Sequence, residues 1–306
     1  MPVQNFERIL VAIADPKAGM NKAIRRACAL ARNTGASIEL FNAISSALSP
    51  GSVHSAAEQF TRFEAAQNRR LLERTANRLR REELIVSTNV QTGYPVHAAI
   101  LRQVRISKAD LLVIEARKHN VFARLLLTQT DFELIRHCPV PLLIVKGRAG
   151  WRSPRILAAL DPFHSNEKPS ALDGKIVAAA GAVAGLVHGS VHAAHIYLPL
   201  GSYVADLPMA PVTLAGIPAQ ETAHRRSIRR RFYEDLGRYG IPKNRGHLVG
   251  GDPAIELPRL ARSLRAGLIV MGAVSRSGLK RIFIGNTAER ILDSLKCDVL
   301  VVKPHS

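Results

Sequence analysis

A glycine-rich segment late in the chain has the composition of a phosphate-binding loop. It runs from Met271 to Arg290 and combines backbone freedom, hydroxyl donors and positive charge. The glycines are Gly272, Gly278 and Gly285, the hydroxyls belong to Ser275, Ser277 and Thr287, and the cations are Lys280 and Arg281. Glycines let a backbone turn sharply and approach a ligand closely.

The segment is expected to end in the start of a helix. Asn286 is a good N-cap residue, and Glu289 three positions later resembles a capping box. The free N–H groups of a helix start behind a glycine-rich loop form a ready anion site. The same glycines are also explained as turn and cap residues alone, and their spacing leaves both interpretations open.

An acidic residue before proline occurs twice, as Asp15-Pro16 and Asp161-Pro162. Each pair closes a short apolar run. Such a carboxylate would accept hydrogen bonds from a ribose or an adenine amine, but aspartate before proline also initiates turns. Both interpretations stay open from the sequence.

These pairs belong to an internal repeat, which explains why the motifs come twice. Three segments of the first half recur in order in the second half: 8–16 in 155–162, 93–95 in 251–253, and 109–146 in 266–303 without gaps. The joint, from Gly147 to Pro154, is short and contains glycine and proline. We therefore expect two domains, 1–147 and 155–306.

Each unit alternates short apolar runs with helical patterns. The runs are 8–14, 36–44, 85–91, 110–115 and 141–146, then 155–160, 190–198, 245–249, 267–272 and 298–303. Continuous Ile, Leu and Val runs suit strands buried on both faces. Alternation with helices, such as 21–33 and 95–107, predicts an α/β fold with a doubly wound parallel sheet in each unit. Ligands bind such sheets just after the first and fourth strands.

The first unit lacks the three glycines of the proposed phosphate-binding loop. Glu115, Val121 and Thr128 replace the three glycines at equivalent positions. A carboxylate at the start of the loop would repel a phosphate. The first unit is therefore expected to bind something else or to serve as a scaffold.

Composition sets broad limits. No signal-peptide pattern opens the sequence, and the longest apolar run, 176–187, is shorter than the roughly 20 residues that span a bilayer. The odd cysteine count, from Cys28, Cys138 and Cys297, argues against a disulfide framework and favours buried small hydrophobes. Together these features lead us to expect a cytoplasmic protein.

A net charge of +19 would attract polyanions. Two predicted helices at equivalent places are rich in arginine, and a solvated face competes there with nucleic-acid contact. They carry Arg69, Arg70, Arg74, Arg78, Arg80 and Arg81, and Arg225, Arg226, Arg229, Arg230 and Arg231. Aromatic residues that would stack single-stranded bases are not interleaved with these arginines.

Three histidines and one long segment complete the candidates. His188, His192 and His195 suggest a metal site, but His192 and His195 lie three apart on a predicted strand and so face opposite sides. We expect no metal there. The segment 198–218, with four prolines, would act as a lid over the cleft or reach toward the first unit.

The chain resembles the universal stress protein family. That family carries Gly-x-x-Gly, nine residues and Gly-Ser/Thr after its fourth strand; here Gly272 and Gly285 match, while Ser275 and Asn286 depart from the pattern. The segments 285–289 and 297–304, with Lys118-His-Asn120 in the first unit, resemble the tandem E-type subgroup. The resemblance covers nearly the whole chain.

The resemblance implies a HUP-like (adenine nucleotide alpha hydrolase-like) fold, with two tandem doubly wound five-stranded parallel sheets that associate through their last strands. Some members bind ATP. Carried over, Asp161 and Ile196 would lie by the adenosine, and the phosphates would be lined by Met271, Gly272, Ser275, Gly285, Asn286 and Thr287. We expect ATP or ADP in the second unit, intramolecular pairing of the units with a homodimer left open, and no dedicated catalysis.

The alternative function is that of a basic stress protein that associates with nucleic acid or another polyanion and binds no nucleotide. An adenylating enzyme is disfavoured, because neither a His-x-x-His near the first helix nor a Ser-Gly-Gly loop is present.

Overall fold

The chain forms a single ten-stranded sheet covered by helices. The computed structural model describes residues 6–45, 55–116, 127–147, 150–163, 172–200, 217–273 and 286–304. The strands lie in the order β3-β2-β1-β4-β5-β10-β9-β6-β7-β8. Each half of that order is a five-stranded, doubly wound parallel sheet, as the sequence predicts.

The first unit supplies one half of the sheet. Its strands are β1 (Arg8–Ala12), β2 (Ser37–Ile44), β3 (Val86–Thr92), β4 (Leu111–Glu115) and β5 (Leu142–Val145). Its helices are α1 (Lys22–Thr34), α2 (Ser55–Arg80), α3 (Val96–Ile106) and α4 (Gln129–His137). The α1 N-terminus is capped by the Asn21 side chain, and α1 ends at Gly35, which takes the left-handed conformation that glycine favours at this position.

The second unit repeats the plan. Its strands are β6 (Arg155–Ala159), β7 (Ser190–Tyr197), β8 (Gly246–Gly250), β9 (Ala266–Gly272) and β10 (Asp298–Val302). Its helices are α5 (Leu172–Leu186), α6 (Ile217–Arg238), α7 (Pro253–Ser263) and α8 (Asn286–Ser294). All ten predicted strands are confirmed, with ends that agree to within two residues.

The two half-sheets join edge to edge through β5 and β10, which run antiparallel. Leu143 pairs with Leu300, its own equivalent in the repeat, and Ile144 pairs with Val299 while Leu142 pairs with Val301. The contact is therefore self-complementary, like the interface of a two-fold dimer. The pairing through the last strands, which the family resemblance implies, is confirmed.

A lysine from each unit reaches the other across this joint. The Lys146 side chain is buried and its Nζ donates to the Leu292 carbonyl near the end of α8. Lys303 Nζ donates to the Arg136 carbonyl near the end of α4, at 2.9 Å. Cations at helix C-termini satisfy carbonyls that lack an intrahelical partner. The repeated lysines thus bind the two units together.

Two apolar layers, one on each face of the sheet, form the core. Central strands such as β10 are buried along their whole length, which explains their continuous apolar sequences.

The cysteines belong to this core. Cys28 and Cys138 lie in these layers and Cys297 packs at the edge of one. Burial raises the pKa of their thiols to about 11, 11 and 12 respectively. Among the described residues, no helix is both long and apolar enough to cross a membrane.

Candidate functional site

The carboxyl ends of three neighbouring strands form a cleft in the second unit. In the sheet, β6 lies between β9 and β7. Asp161 follows β6, Ile196 lies near the end of β7, and Met271 and Gly272 close β9. Ile196 and Met271 are half-buried. Four of the predicted site residues therefore lie at the topological switch point, where doubly wound sheets bind ligands.

A second carboxylate that the sequence analysis missed lies beside Asp161. Asp173, in the first turn of α5, is only 3% exposed, and both of its carboxylate oxygens lie 3.2 Å from the Asp161 backbone N. This contact holds the chain where it leaves β6. An acidic residue in the first turn of an otherwise apolar helix was the signal available in the sequence.

His195 holds the same chain segment from the neighbouring strand. The His195 ring is buried, and its Nδ1 lies 3.1 Å from the carbonyl oxygen of Leu160, the residue before Asp161. Because a carbonyl only accepts, Nδ1 carries the proton. In the first unit Asn42 Nδ2 donates to the equivalent carbonyl, that of Ile13, at 2.8 Å. The repeat thus conserves the contact between strands while changing the side chain that makes it.

Gly272 has a packing reason to be glycine. A Cβ built at Gly272 would lie 2.6 Å from Leu172 Cδ2, well inside van der Waals contact. Gly272 also lacks a positive φ, so no turn at this position demands glycine. The first turn of α5 therefore packs directly on the end of β9. Within the described residues, the close approach that Gly272 permits is to Leu172.

The helix that follows the loop begins where the sequence predicts. Asn286 is the first residue of α8 and Thr287 is exposed. Glu289 accepts from Arg136 Nη2 of the first unit at 3.1 Å, so this carboxylate contributes to the contact between units. Ser275, Gly278 and Gly285 lie outside the described residues.

At the position equivalent to Gly272, the first unit places a carboxylate against the start of α1. Glu115 Oε2 accepts from the backbone N of Lys22, the first residue of α1, at 3.1 Å, and Glu115 Oε1 lies 3.4 Å from Lys22 Nζ. Asn21 accepts from the backbone N of Ile24 at 2.9 Å. A phosphate would have to displace a built-in negative charge from this helix start.

A small apolar cavity remains beside Glu115. It has a volume of about 180 Å³ and is lined mostly by aliphatic side chains and Phe41, with hydroxyls from Thr128 and Thr130 at one end. Thr128 and Asp131 form a reciprocal capping box on α4. The Thr128 hydroxyl and the Asp131 carboxylate are thus engaged with the helix.

The three histidines do not converge. His192 Nδ1 lies 3.0 Å from His247 Nε2 on the neighbouring strand β8, with the ring planes 16° apart. One ring donates and the other accepts, and burial lowers the pKa of both. His195 faces the opposite layer beside Phe232, as the strand period predicts. In the described part of the chain, no three potential metal-binding side chains come together.

The two predicted basic helices are α2 and α6, and their arginines are exposed except for half-buried Arg231. Beside α6, at the edge strand β8, a cavity of about 300 Å³ is lined by Arg225, Arg229, Tyr197 and Tyr233. Arg229 lies over the Tyr233 ring at 5.6 Å. Arginine and tyrosine thus meet at this edge; Arg229 and Tyr233 are four residues apart on α6, whereas Tyr197 comes from β7, distant in the sequence. The predicted lid segment lies outside the description from 201 to 216.

Comparison with known proteins shows which protein family the two repeated units match. The model of the universal stress protein family matches the chain twice, over residues 5–146 and 153–303. Universal stress protein E of Escherichia coli K12 is 31% identical over 220 residues, covering 67% of this chain and 64% of that protein. The match thus spans less than two thirds of that relative. Universal stress protein E of Photorhabdus laumondii is 26% identical over 98% of this chain and 96% of its own.

Solved structures agree on the architecture. A Pseudomonas aeruginosa PAO1 protein of unknown function superposes with a TM-score of 0.74 and 27% identity, covering 99% of this chain and 94% of that one. A universal stress protein of Archaeoglobus fulgidus, at 16% identity, gives a TM-score of 0.65 over the full length of both chains and so shares the fold. The chain therefore belongs to the universal stress protein family, as a tandem member of the E type.

Proposed function

We propose that this stress-response protein binds an adenine nucleotide, ATP or ADP, in its second unit. The observation that carries the proposal is the convergence of Asp161, Ile196, Met271 and Gly272 at the carboxyl ends of β6, β7 and β9. This is the switch point of a doubly wound sheet, the position at which such folds hold nucleotides.

The chemistry of the cleft matches the parts of a nucleotide. The half-buried side chains of Ile196 and Met271 offer apolar surface for a base. The Asp161 carboxylate, just beyond the end of β6, suits ribose hydroxyls or an adenine amine. The start of α8 at Asn286, behind the glycine-rich segment, supplies N–H groups for phosphates. Ser275, Gly278, Gly285 and Thr287 complete the proposed set.

We assign the site a binding role without a dedicated catalytic step. The first unit is assigned a structural role, because Glu115 occupies the start of α1 at the equivalent position. On this proposal the domains are 1–147 and 155–306, with the family-model matches closely similar in extent.

The test is isothermal titration of ATP and of ADP at about 150 mM salt, where exposed charges are strongly screened. We expect one nucleotide per chain. Gly285→Asp should abolish binding by placing a carboxylate at the phosphate position. The matched control is Thr128→Asp, which puts the same side chain at the equivalent position of the first unit, where it still serves as a helix cap. Equal loss in both variants, or no binding by the unmodified chain, would overturn the proposal.

One observation favours the polyanion alternative. Arg225 and Arg229 lie with Tyr197 and Tyr233 at an open sheet edge, and arginine with aromatic rings suits single-stranded nucleic acid. Binding of a labelled oligonucleotide, lost in an Arg225→Ala/Arg229→Ala variant and steeply salt-dependent, would support it. Binding that survives this double substitution would exclude the edge as its site.

A further inference from the structure

A second cavity lies at the opposite end of the strands from the proposed nucleotide cleft. It has a volume of about 520 Å³ and opens between the segment that joins the units and the amino ends of β6 and β9. Small-molecule sites usually have volumes of about 300–1,000 Å³. The apolar part of its wall comes from Trp151, Pro154, Pro258, Ala261 and Leu295.

The rest of the wall is strongly cationic. Arg152, Arg262, Arg265 and Lys296 are exposed at the cavity. None of the four makes an ion pair with another described residue, and no carboxylate among the described residues lines the cavity. Four like charges around one concave surface repel one another and attract anions.

Helix ends alone do not explain this charge. Cations often gather at helix C-termini, and α7 and α8 both end here. Each end already has its own cation, however. Arg155 Nη1 donates to the Leu264 carbonyl at the end of α7, at 2.8 Å, and Lys146 Nζ donates to the Leu292 carbonyl of α8. Among the described residues, none of the four exposed cations makes such a carbonyl contact, although Arg262 itself lies in the last turn of α7.

The floor of the cavity is rigidly packed. Pro154 lies between two glycines, since a Cβ at Gly189 would be 2.7 Å from the Pro154 carbonyl oxygen and a Cβ at Gly267 would be 2.8 Å from Pro154 Cβ. Arg26 lies 5.0 Å from the centre of the Trp151 ring and is itself held by Asp298. The wall is thus positioned before any ligand arrives, which favours binding.

Trp151 is half-buried and lines this cavity. Its ring is therefore the aromatic surface that a ligand in the cavity would contact.

We propose that this cavity binds a small phosphorylated polyanion. Three or four negative charges would match the four exposed cations, which form no ion pair with another described residue, and the apolar wall would contact any organic part. A nucleic-acid strand is disfavoured because the cations surround a concavity rather than following a groove.

The chain offers a direct probe of this site, because Trp151 is its one tryptophan. Inorganic tripolyphosphate should change the Trp151 fluorescence and saturate at about 150 mM salt. Arg262→Ala/Lys296→Ala should weaken binding by about tenfold or more, since charge-assisted hydrogen bonds to phosphate are strong. The control Arg238→Ala/Arg259→Ala removes the same charge from exposed arginines that pair with Asp235 and Glu256, and should change affinity by less than about twofold.

ATP and ADP titrated into the Gly285→Asp variant should leave the Trp151 fluorescence unchanged, which assigns the cavity to inorganic polyphosphate; a saturable response to either nucleotide there would overturn the expected stoichiometry of one nucleotide per chain. The Gly285→Asp variant should keep the tripolyphosphate response, so this proposal and the nucleotide proposal fail separately. Equal weakening in the test variant and in the control variant would overturn the proposal, because it would show that tripolyphosphate responds to the overall positive charge of the protein rather than to this cavity. So would an unsaturated fluorescence response, or an oligonucleotide that binds through Arg262 and Lys296 when tripolyphosphate does not.

Discussion

The Arg26 guanidinium of the first unit forms an ion pair with the Asp298 carboxylate of the second. The two side chains are 7% and 0% exposed, so water cannot replace either of them as a hydrogen-bond partner. Asp298 Oδ1 also accepts from the backbone N atoms of Lys146 and Gly147, at 2.9 and 2.7 Å. One carboxylate thus ties the first helix, the joining segment and the last strand together.

Asp298→Ala should therefore lower the free energy of unfolding by about 3–5 kcal/mol, because it leaves a buried guanidinium without its carboxylate. Urea denaturation followed by circular dichroism measures this. Glu256→Ala, which removes a carboxylate from the exposed Arg259 pair, is the control and should cost less than about 1 kcal/mol. Similar losses in the two variants would show that the buried pair has no special role.

The carboxylate at the start of α1 can be tested in the same way. Glu115→Ala removes the acceptor for the Lys22 backbone N and should destabilise the protein by about 1 kcal/mol, as the loss of a helix cap does. Glu115→Gln keeps an acceptor oxygen and should lose less. The ATP stoichiometry should stay at one per chain in both variants; a second bound nucleotide would show that Glu115 alone closes the first unit.

The contact between Gly272 and Leu172 predicts a coupled pair. Gly272→Ala inserts a Cβ 2.6 Å from Leu172 Cδ2 and should cost about 1–3 kcal/mol through overpacking. Leu172→Ala removes the opposing atoms, so the double variant should be more stable than the sum of the single losses by about 1 kcal/mol. Additive losses in a double-mutant cycle would contradict direct packing of α5 on β9.

Lys303 predicts an alkaline rise in stability. Burial lowers the pKa of Lys303 from 10.5 to about 8. Between those values the unfolded chain holds the proton more tightly, so the free energy of unfolding rises with pH. Relative to Lys303→Met, the unmodified chain should gain on the order of 2–3 kcal/mol from pH 8 to 10.5. Parallel stability curves for the two proteins would show that Lys303 titrates normally.

Sequence by itself determined the duplication, the ten strands and the class of the fold. Strands buried on both faces, such as Leu111–Glu115 and Asp298–Val302, consist of consecutive apolar residues and can therefore be recognised in the sequence. Local features such as the helical pattern over 21–33 and the helix start at Asn286 were visible for the same reason. The position of Asp161 after a strand and of Met271 and Gly272 at the end of another followed from the apolar runs, whereas Ile196 came from the family resemblance.

Only the tertiary structure decided what those residues contact. Gly272 meets Leu172, Glu289 meets Arg136, and Arg26 meets Asp298 across 272 positions of sequence. The basic cavity around Trp151 likewise draws its cations from the joining segment, the end of α7 and the end of α8. Periodicity records which face of an element is buried, but packing between distant elements depends on side-chain shape and charge in three dimensions, which no local pattern encodes.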